Sequence, residues 1–557
     1  MWYVGDTETS HDSEGTEAWV WAWAICSVED PDDIEYGGDI ESLVDCLCEH
    51  VGDRVYFHNL KFDGEFIMLH LLNTGWAWIP DDAKQAPRCF KTIITEDRNV
   101  YKIALSPHGK GYVSIVDSYK VLTLSVAATA KAYGVGECKG DLDYDKYRLP
   151  NHAMTEAERD YLRRDVQIVA RALKITKEAG DDRITAAGNA LQWYRNSIGG
   201  RQNFKRVYPE LDPEEDAFIR RAYRGGWTYA DPRFTEREVG PGMVFDVNSM
   251  YPWVMHDCQL PFFAPRRFNG RPRPTDEWPL WVAMVEFRFD VKPDHLPCIQ
   301  IKGNLRFGNT EYLEHSGASV CMVVSSVDWS LYNDQYDISS VHWHGGYYFR
   351  SSDLQFREYV DHWIEQKIEA SKTGNDGLRS IAKLKLNSLY GKFATRPGGE
   401  MRRPIVMGGS LHTEVVKGDS RHETLYLPVG VFVTAYARDK IVRTAQSVYG
   451  RFCYSDTDSI HIVGEEMPDI DVDNYRLGAW KHEDTFERAK YLRAKTYIEQ
   501  MRGRDRLTVH VAGMPSGMHS QVTFENFAFG ATYDGKLYTK HVNNGILLQP
   551  GPMMIRR

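Results

Sequence analysis

Nowhere among the nine cysteines of this chain does a CxxC pair occur. Cys46 and Cys48 come nearest, and a zinc site would need more ligands close by. The cysteines are therefore read as packing residues of a protein kept in a reducing compartment. No apolar run approaches the length of a membrane span, so a membrane-embedded chain is not expected. The N-terminus enters a strand at once, with no basic segment or cleavage site before an apolar core, so no export signal is expected and the protein is read as soluble, cytoplasmic and not secreted. No GxxxxGK[ST] loop is found, and phosphate binding cannot be assigned to a Walker-type loop. Basic charge is also short: 67 Lys and Arg against 78 Asp and Glu give −11. That is not the usual balance of a nucleic-acid binder, although a local basic groove can coexist with an acidic exterior.

What is present is a chain of 557 residues, 42% hydrophobic and 12% aromatic, long enough for about two to four packed domains. Its most informative stretch is Tyr454-Ser455-Asp456-Thr457-Asp458-Ser459. Phe452 and Tyr454 alternate with Cys453 and Ser455, and Ile460 and Ile462 with His461 and Val463, which predicts paired strands with both aspartates at the hairpin tip. Two carboxylates on a rigid turn repel unless a divalent cation lies between them, and hard oxygen ligands favour magnesium or manganese. A solvated Asp-rich turn fits the same six residues.

In the N-terminal half, alternation puts Val4, Asp6 and Glu8 on one face of a strand. Trp19, Trp21 and Trp23 read as the buried aromatic face of a neighbouring strand. A third strand, Arg54 to Phe57, leads through His58-Asn59-Leu60-Lys61-Phe62 to Asp63 at a strand-to-helix junction, where α/β proteins place chemistry. Residues 155 to 173 predict a helix, with Thr155 and Glu158 as a capping box and Leu162, Val166, Val169 and Leu173 on one face. Tyr161 and Asp165 share another side of it. Asp6, Glu8, Asp63 and Asp165 together describe four carboxylates able to hold two metal ions, with Tyr161 to orient a water, as in metal-dependent phosphodiester hydrolysis.

Between 180 and 240 the helical pattern breaks up, and this stretch is read as the seam between domains. Within it, Tyr223-Arg224-Gly225-Gly226-Trp227 pairs two glycines that allow close backbone approach, with Arg224 and the aromatics available to phosphate and bases, or forms an ordinary turn. Val244 to Pro252 reads as a strand ending at Asp246 and a turn stopped by proline. Asp246 could complete a metal cage with the hairpin at 456 to 458, and Tyr251 could lie under a sugar or simply pack. A helix is predicted near 378 to 394: at roughly 100° per residue Leu378, Ala382, Leu386, Leu389 and Phe393 fall within about 80° of arc. Arg379, Lys383, Asn387 and Tyr390 form a stripe beside them, suited to an incoming nucleotide or to a solvated helix face.

Two sets of motifs carry a family resemblance. Asp6 and Glu8, then Asn59 to Asp63, then Tyr161 and Asp165 resemble, in order and spacing, the three motifs of the 3′-5′ proofreading exonuclease domain of family B DNA polymerases. The blocks Asp246-Val247-Asn248-Ser249-Met250-Tyr251-Pro252, Lys383 to Lys392 and Tyr454 to Ser459 resemble polymerase motifs A, B and C of the same family. Lys495-Thr496-Tyr497 is similar to its KxY primer contact. The likeness extends over nearly the whole chain and is nearest to the protein-primed branch typified by the phi-twenty-nine phage enzyme.

The resemblance implies an α/β plus α+β multidomain fold, with a ribonuclease-H-like exonuclease domain over 1–185 and a polymerase right hand over 186–557. In that hand the palm carries motifs at 244–252 and 454–459, an insertion spans about 261–358, fingers about 359–395, a second insertion about 396–427 and a thumb about 500–557. It implies DNA-templated nucleotidyl transfer with two magnesium ions per active site, manganese substituting. Asp246, Val247 and Asp458 would bind the polymerase metals, with Asp456 supporting the turn or a metal. Asp6, Glu8, Asp63 and Asp165 would bind those of the exonuclease, with Tyr161 positioning water and Lys139 as the catalytic lysine. Ser249, Tyr251, Lys367, Arg379, Lys383, Asn387 and Tyr390 would bind the nucleotide. Asn59, Phe62, Ser118, Tyr223, Gly225, Gly226, Lys392, Lys495 and Tyr497 would contact DNA.

The implied partners are primer-template DNA, single-stranded DNA, dNTPs and a terminal priming protein, with the enzyme a monomer in the host-cell cytoplasm replicating a viral or plasmid genome with strand displacement. Two other readings remain: a family B polymerase extending nucleic-acid primers, or a non-catalytic DNA-binding protein of the same fold. Arg379 stands where the family usually has lysine, Tyr119 where an aliphatic is usual, and the acidic balance is unusual for the group. These departures predict DNA binding that weakens at lower salt than in a basic relative.

Overall fold

The computed structural model describes residues 1–136, 142–144, 146–301, 311–396, 398–419 and 425–557. An eight-stranded sheet organises the N-terminal part, in the spatial order Ile34–Gly37, Ala18–Ser27, Trp2–His11, Arg54–Phe57, Val113–Asp117, Val100–His108, Pro87–Ile94 and Ala77–Trp78. Trp2–His11 runs parallel to Arg54–Phe57, which runs parallel to Val113–Asp117. Parallel strands need covering on both faces, and helices supply the cover. On one face lies Glu156–Glu178, whose Leu162, Val166 and Val169 pack in one core with Val4 and Trp21. On the other, Ile40–Glu49 and Asp63–Asn73 enclose Val55, Ile67, Leu71 and Trp23.

The tryptophan stripe is thus split between two cores. Trp23 pairs with Thr7 and Ala22 with Glu8, but Val20 pairs with Thr9, so Trp21 is the extra residue of a bulge. One extra residue reverses the facing of everything beyond it. The capping box of the long helix forms as expected, with the Glu158 amide donating to Thr155 Oγ1 at 3.3 Å and the Thr155 amide to Glu158 Oε2 at 2.9 Å.

The stretch expected as a helix-poor seam contains three helices, Ala186–Ser197, Gly200–Val207 and Pro213–Arg220. They are short, between 8 and 12 residues, and cut by glycine and proline, so no long apolar period develops. Beyond them an antiparallel sheet runs in the order Thr508–Val511, Thr496–Met501, Trp480–Arg493, Gly242–Val247, Ser459–Val463, Phe452–Asp456 and Thr228–Ala230. The expected thumb boundary at 500 falls inside a strand of this sheet, which continues to Val511. Leu427–Ser447 packs against the sheet and is buried almost all round, from Leu427 to Ala445, the pattern of an interior helix.

Residues 260–352 hold a separate four-stranded sheet, the first expected insertion. The stretch expected as fingers holds the helices Arg357–Thr373 and Asp376–Phe393, and the stretch expected as a second insertion holds the hairpin Gly399–Met407 with Ser410–Asp419. A last hairpin, Thr532–Val542 with Gly545–Met554, returns to the N-terminal sheet. There the Asn543 amide donates to the Thr16 carbonyl and the Ala18 amide to the Asn543 carbonyl, both at 3.0 Å, while the Asn544 amide reaches the Gly409 carbonyl of the second insertion. Among the described residues no helix is long and apolar enough to cross a membrane.

Candidate active sites

The aspartate hairpin forms as its alternation predicts. Phe452–Asp456 and Ser459–Val463 pair, leaving Thr457 and Asp458 as the turn, with Thr457 in the left-handed region at φ 66°. The turn is held from two sides. The Thr457 amide donates to the Trp227 carbonyl at 3.0 Å, and the Val247 amide to the Asp458 carbonyl at 2.9 Å. Asp246 pairs across the sheet with Ser459 on one side and Lys481 on the other, so Asp246 and Asp458 share one end of the sheet. Burial pushes the Asp246 carboxyl up to about 7, and the charges of Asp458 and Glu483 add to it while Lys481 opposes. Asp458 is also raised, first by burial and then by Asp456. Asp456 accepts from Thr228 Oγ1 at 3.2 Å and lies 3.7 Å from Lys495 Nζ.

Gly226 has a definite reason to be glycine: a Cβ there would lie 2.7 Å from Thr457 Cγ2. Gly226 therefore admits the aspartate turn, whereas a Cβ on Gly225 would meet nothing within 4 Å. Arg224, read as available to phosphate, is instead buried, its guanidinium donating to the carbonyls of Ala222 and Val323. Tyr223 is half-buried beside it, and Gly225 is exposed.

Asp376–Phe393 presents the two stripes expected. Ala382, Leu386, Leu389 and Phe393 are buried, Leu378 is half-buried, and Arg379, Lys383 and Asn387 are exposed. Lys367 from the preceding helix joins them: burial lowers its ammonium, and the charges of Lys383, Arg379 and Lys481 lower it further. Four cations thus gather, and one of them, Lys481, pairs across the sheet with Asp246. Tyr251 and Tyr390 stack at 4.0 Å between ring centres, with a 22° interplanar angle, and Ser249 turns the chain into the Tyr251 helix at φ 51°. Lys392, further along, is half-buried in a cleft with Arg183, Arg195 and Arg201.

Lys495 occupies a left-handed turn at φ 56°, its amide donating to Tyr454 OH at 2.8 Å. Its side chain is mostly exposed, whereas Tyr497 is buried, packed on Tyr454 and stacked on His510.

In the N-terminal sheet Asp6, Glu8 and Asp165 offer ligand oxygens all within 4.8 Å of one another. The strand supplies the first two and the long helix the third. Asp63 is not in that group: it opens its helix and accepts from Thr7 Oγ1 at 2.6 Å, on the opposite face of the strand. Burial raises Asp63 to about 6, against the lowering effect of the Thr7 hydroxyl. Tyr161 OH lies 2.6 Å from Tyr144 OH. Asn59 adopts φ 67° with its amide on Asp117 Oδ1 at 3.0 Å, and Phe62 leans on Phe66. Ser118, expected at the DNA surface, is fully buried. Its hydroxyl donates to the Phe57 carbonyl at 3.2 Å and meets His58 Nδ1 at 3.0 Å, so the side chain braces the Asn59 loop. Lys139 lies outside the described residues.

Two groups escaped the sequence reading. Lys481 and Glu483 stand beside Asp246 only because their strand pairs with it. Thr7 sits between Asp6 and Glu8, where alternation points it away from them and towards Asp63.

Comparison with known proteins places the chain among polymerases. A family model described as DNA polymerase type B, organellar and viral, matches residues 45–153 and 146–476. The DNA polymerase of Bacillus phage M2 is 37% identical over 556 residues, covering 95% of each chain. That of Bacillus phage phi29 is 36% identical, covering 98% of this chain and 97% of its own. The solved phi29 DNA polymerase complexed with primer-template DNA and incoming nucleotide superposes over 100% of both chains with a TM-score of 0.93 at 35% identity, and its complex with single-stranded DNA with a TM-score of 0.92.

Proposed function

Because the chain belongs to the type B DNA polymerases of organelles and viruses and is a DNA-directed DNA polymerase, we propose that it also degrades DNA 3′ to 5′ for proofreading, starts on a terminal protein and displaces the strand ahead. The observation that carries its polymerase chemistry is the meeting of Asp246, at a strand end, with Asp458 in the adjoining turn, and of Lys481, paired with Asp246, with the cation group Lys367, Arg379 and Lys383. The three cations hold the triphosphate, Tyr251 and Tyr390 check sugar and base with Ser249 and Asn387 beside them, and Lys495 above Tyr497 holds the primer end.

Both acidic sites suit divalent cations. Their donors are hard carboxylate oxygens, and a cation would offset both the burial that raises Asp246 to about 7 and the charges of Asp458 and Glu483 that add to it. Magnesium, or manganese in its place, would supply a lowered pKa at the primer 3′-hydroxyl or attacking water and neutralise phosphate charge. At the N-terminal site Asp6, Glu8 and Asp165 are the ligands, and Tyr161 orients the water. Asn59 and Phe62 hold the single-stranded end.

The same partners are proposed here, supported by the complexes of the phi29 polymerase with primer-template DNA, nucleotide and single-stranded DNA. The meeting of the last hairpin, the second insertion and the N-terminal sheet at Asn543, Gly409 and Thr16 supports a closed path around DNA, suited to processive strand displacement. The test is extension of a primed template, followed by incubation with a candidate terminal protein and one labelled dNTP. Covalent labelling of that protein is expected; extension of DNA primers alone would replace protein priming by nucleic-acid priming.

A further inference from the structure

Lys385 lies in the motif B helix but on its back. Two residues from Lys383 and two from Asn387, it projects about 200° away from each. It is 3% exposed, and its ammonium is hydrogen bonded to Asp181, itself 9% exposed, at the end of the N-terminal domain. Burial lowers the lysine and raises the aspartate, and each partner opposes the shift of the other. The gap around them, between Tyr133, Thr176, Ile381 and Leu384, has a volume of about 10 Å³, at the lower limit for one water.

Other contacts tie the same helix to the same domain. Ser380 Oγ donates to the Ala132 carbonyl at 2.7 Å, and a Cβ on Gly377 would press on Ile175 at 3.1 Å. Tyr359 of the preceding helix donates to the Lys385 carbonyl at 2.6 Å, and the Lys385 ammonium lies 5.5 Å from the Trp363 ring centre. A buried ion pair adds little net stability over a well-packed apolar pair, but it tolerates little change in geometry. A rigid helix transmits that constraint from its back to its front.

We propose that Lys385 and Asp181 are a positioning pair that fixes the nucleotide-binding helix against the N-terminal domain and so sets the affinity for incoming dNTP. The inference rests on the reading that Arg379 and Lys383 bind the triphosphate. A displacement of the helix by an ångström misplaces both cations while leaving Asp246 and Asp458 where they are.

The test compares Asp181→Asn, which leaves the ammonium unpaired, with the double variant Lys385→Met/Asp181→Leu, which removes both charges and keeps the volume. Steady-state extension of a primed template and thermal melting are read together. The double variant is expected to melt within a few degrees of the parent, with KM for dNTP raised about tenfold and kcat within twofold. Asp181→Asn is expected to raise KM at least as much and to melt lower; if it does not fold, the double variant decides alone. A double variant with parental melting and parental KM would overturn the proposal, as would one in which kcat falls and KM does not move. Unchanged KM in Lys383→Ala would instead overturn the assignment of the triphosphate site on which the inference rests.

Discussion

In the N-terminal domain, Asp6, Glu8 and Asp165 are gathered from a strand and from a helix laid across it, their oxygens within 4.8 Å of one another. In the palm, Asp246 ends a strand and Asp458 lies in the turn of the neighbouring hairpin, where the Val247 amide bonds to its carbonyl, so the turn between Asp456 and Ser459 sets their approach. The first site depends on how a helix packs, the second on the register of a sheet and the shape of one turn. Damage to each should therefore come from different places. Helix capping and packing support the first, and close backbone contacts around the hairpin support the second.

The largest separation is expected from the ligands themselves. Asp458→Ala should reduce templated extension by about 10³-fold or more while single-strand degradation stays within about threefold, and Glu8→Ala should do the reverse. Paired assays on one preparation measure this; if both activities fall together in either variant, the two sites are not independent. Gly226→Ala should come next. Its Cβ would press on Thr457 and shift the Asp456–Asp458 turn, lowering extension about 10- to 100-fold with degradation unchanged.

The helix behind the other site is tested by acid. Burial opposes ionisation of Glu158, but the Thr155 amide, Arg148 and Lys146 outweigh it and hold the carboxyl at about 2, down from 4.5. A carboxyl depressed on folding stabilises the protein above pH 4.5, and that contribution is lost as pH falls through about 2. Glu158→Gln should accordingly cost about 3 kcal/mol at pH 7, with the difference from the parent shrinking below pH 4.5. Denaturant melts at pH 7 and pH 3 would measure it, and a difference that does not change with pH would remove the charge from the explanation. The smallest effect is expected from salt. With a net charge of −11, primer-template affinity should begin to fall at a lower salt concentration than for a basic relative, by a few-fold at matched ionic strength. A titration with no slope would discard it.

Much of both sites was legible in the residues because it is local. The aspartate hairpin is written in a two-residue alternation, and the Thr155–Glu158 box in a three-residue spacing; both formed where expected. The stripes on the 376–393 helix follow from its turn angle in the same way. Features that depend on one extra residue or on a neighbouring strand were not legible. Trp23 left the expected stripe because a bulge at Trp21 reversed its facing, and no composition signal marks a bulge. Ser118 and Arg224 have polar side chains suited to DNA, yet both are spent on backbone carbonyls inside the fold.

By itself the sequence determined the order of the motifs, the elements that carry them and the identity of the carboxylates, because periodicity and turn chemistry act over a few residues. Only the tertiary structure decided which carboxylates meet. Strand pairing set Lys481 and Glu483 beside Asp246, Thr7 donated a hydrogen bond to Asp63 while Asp6, Glu8 and Asp165 met one another, and the back of the 376–393 helix found Asp181. Those outcomes depend on burial and on contacts between residues far apart in the chain, where a charge that would be free in water must find a partner or shift its pKa.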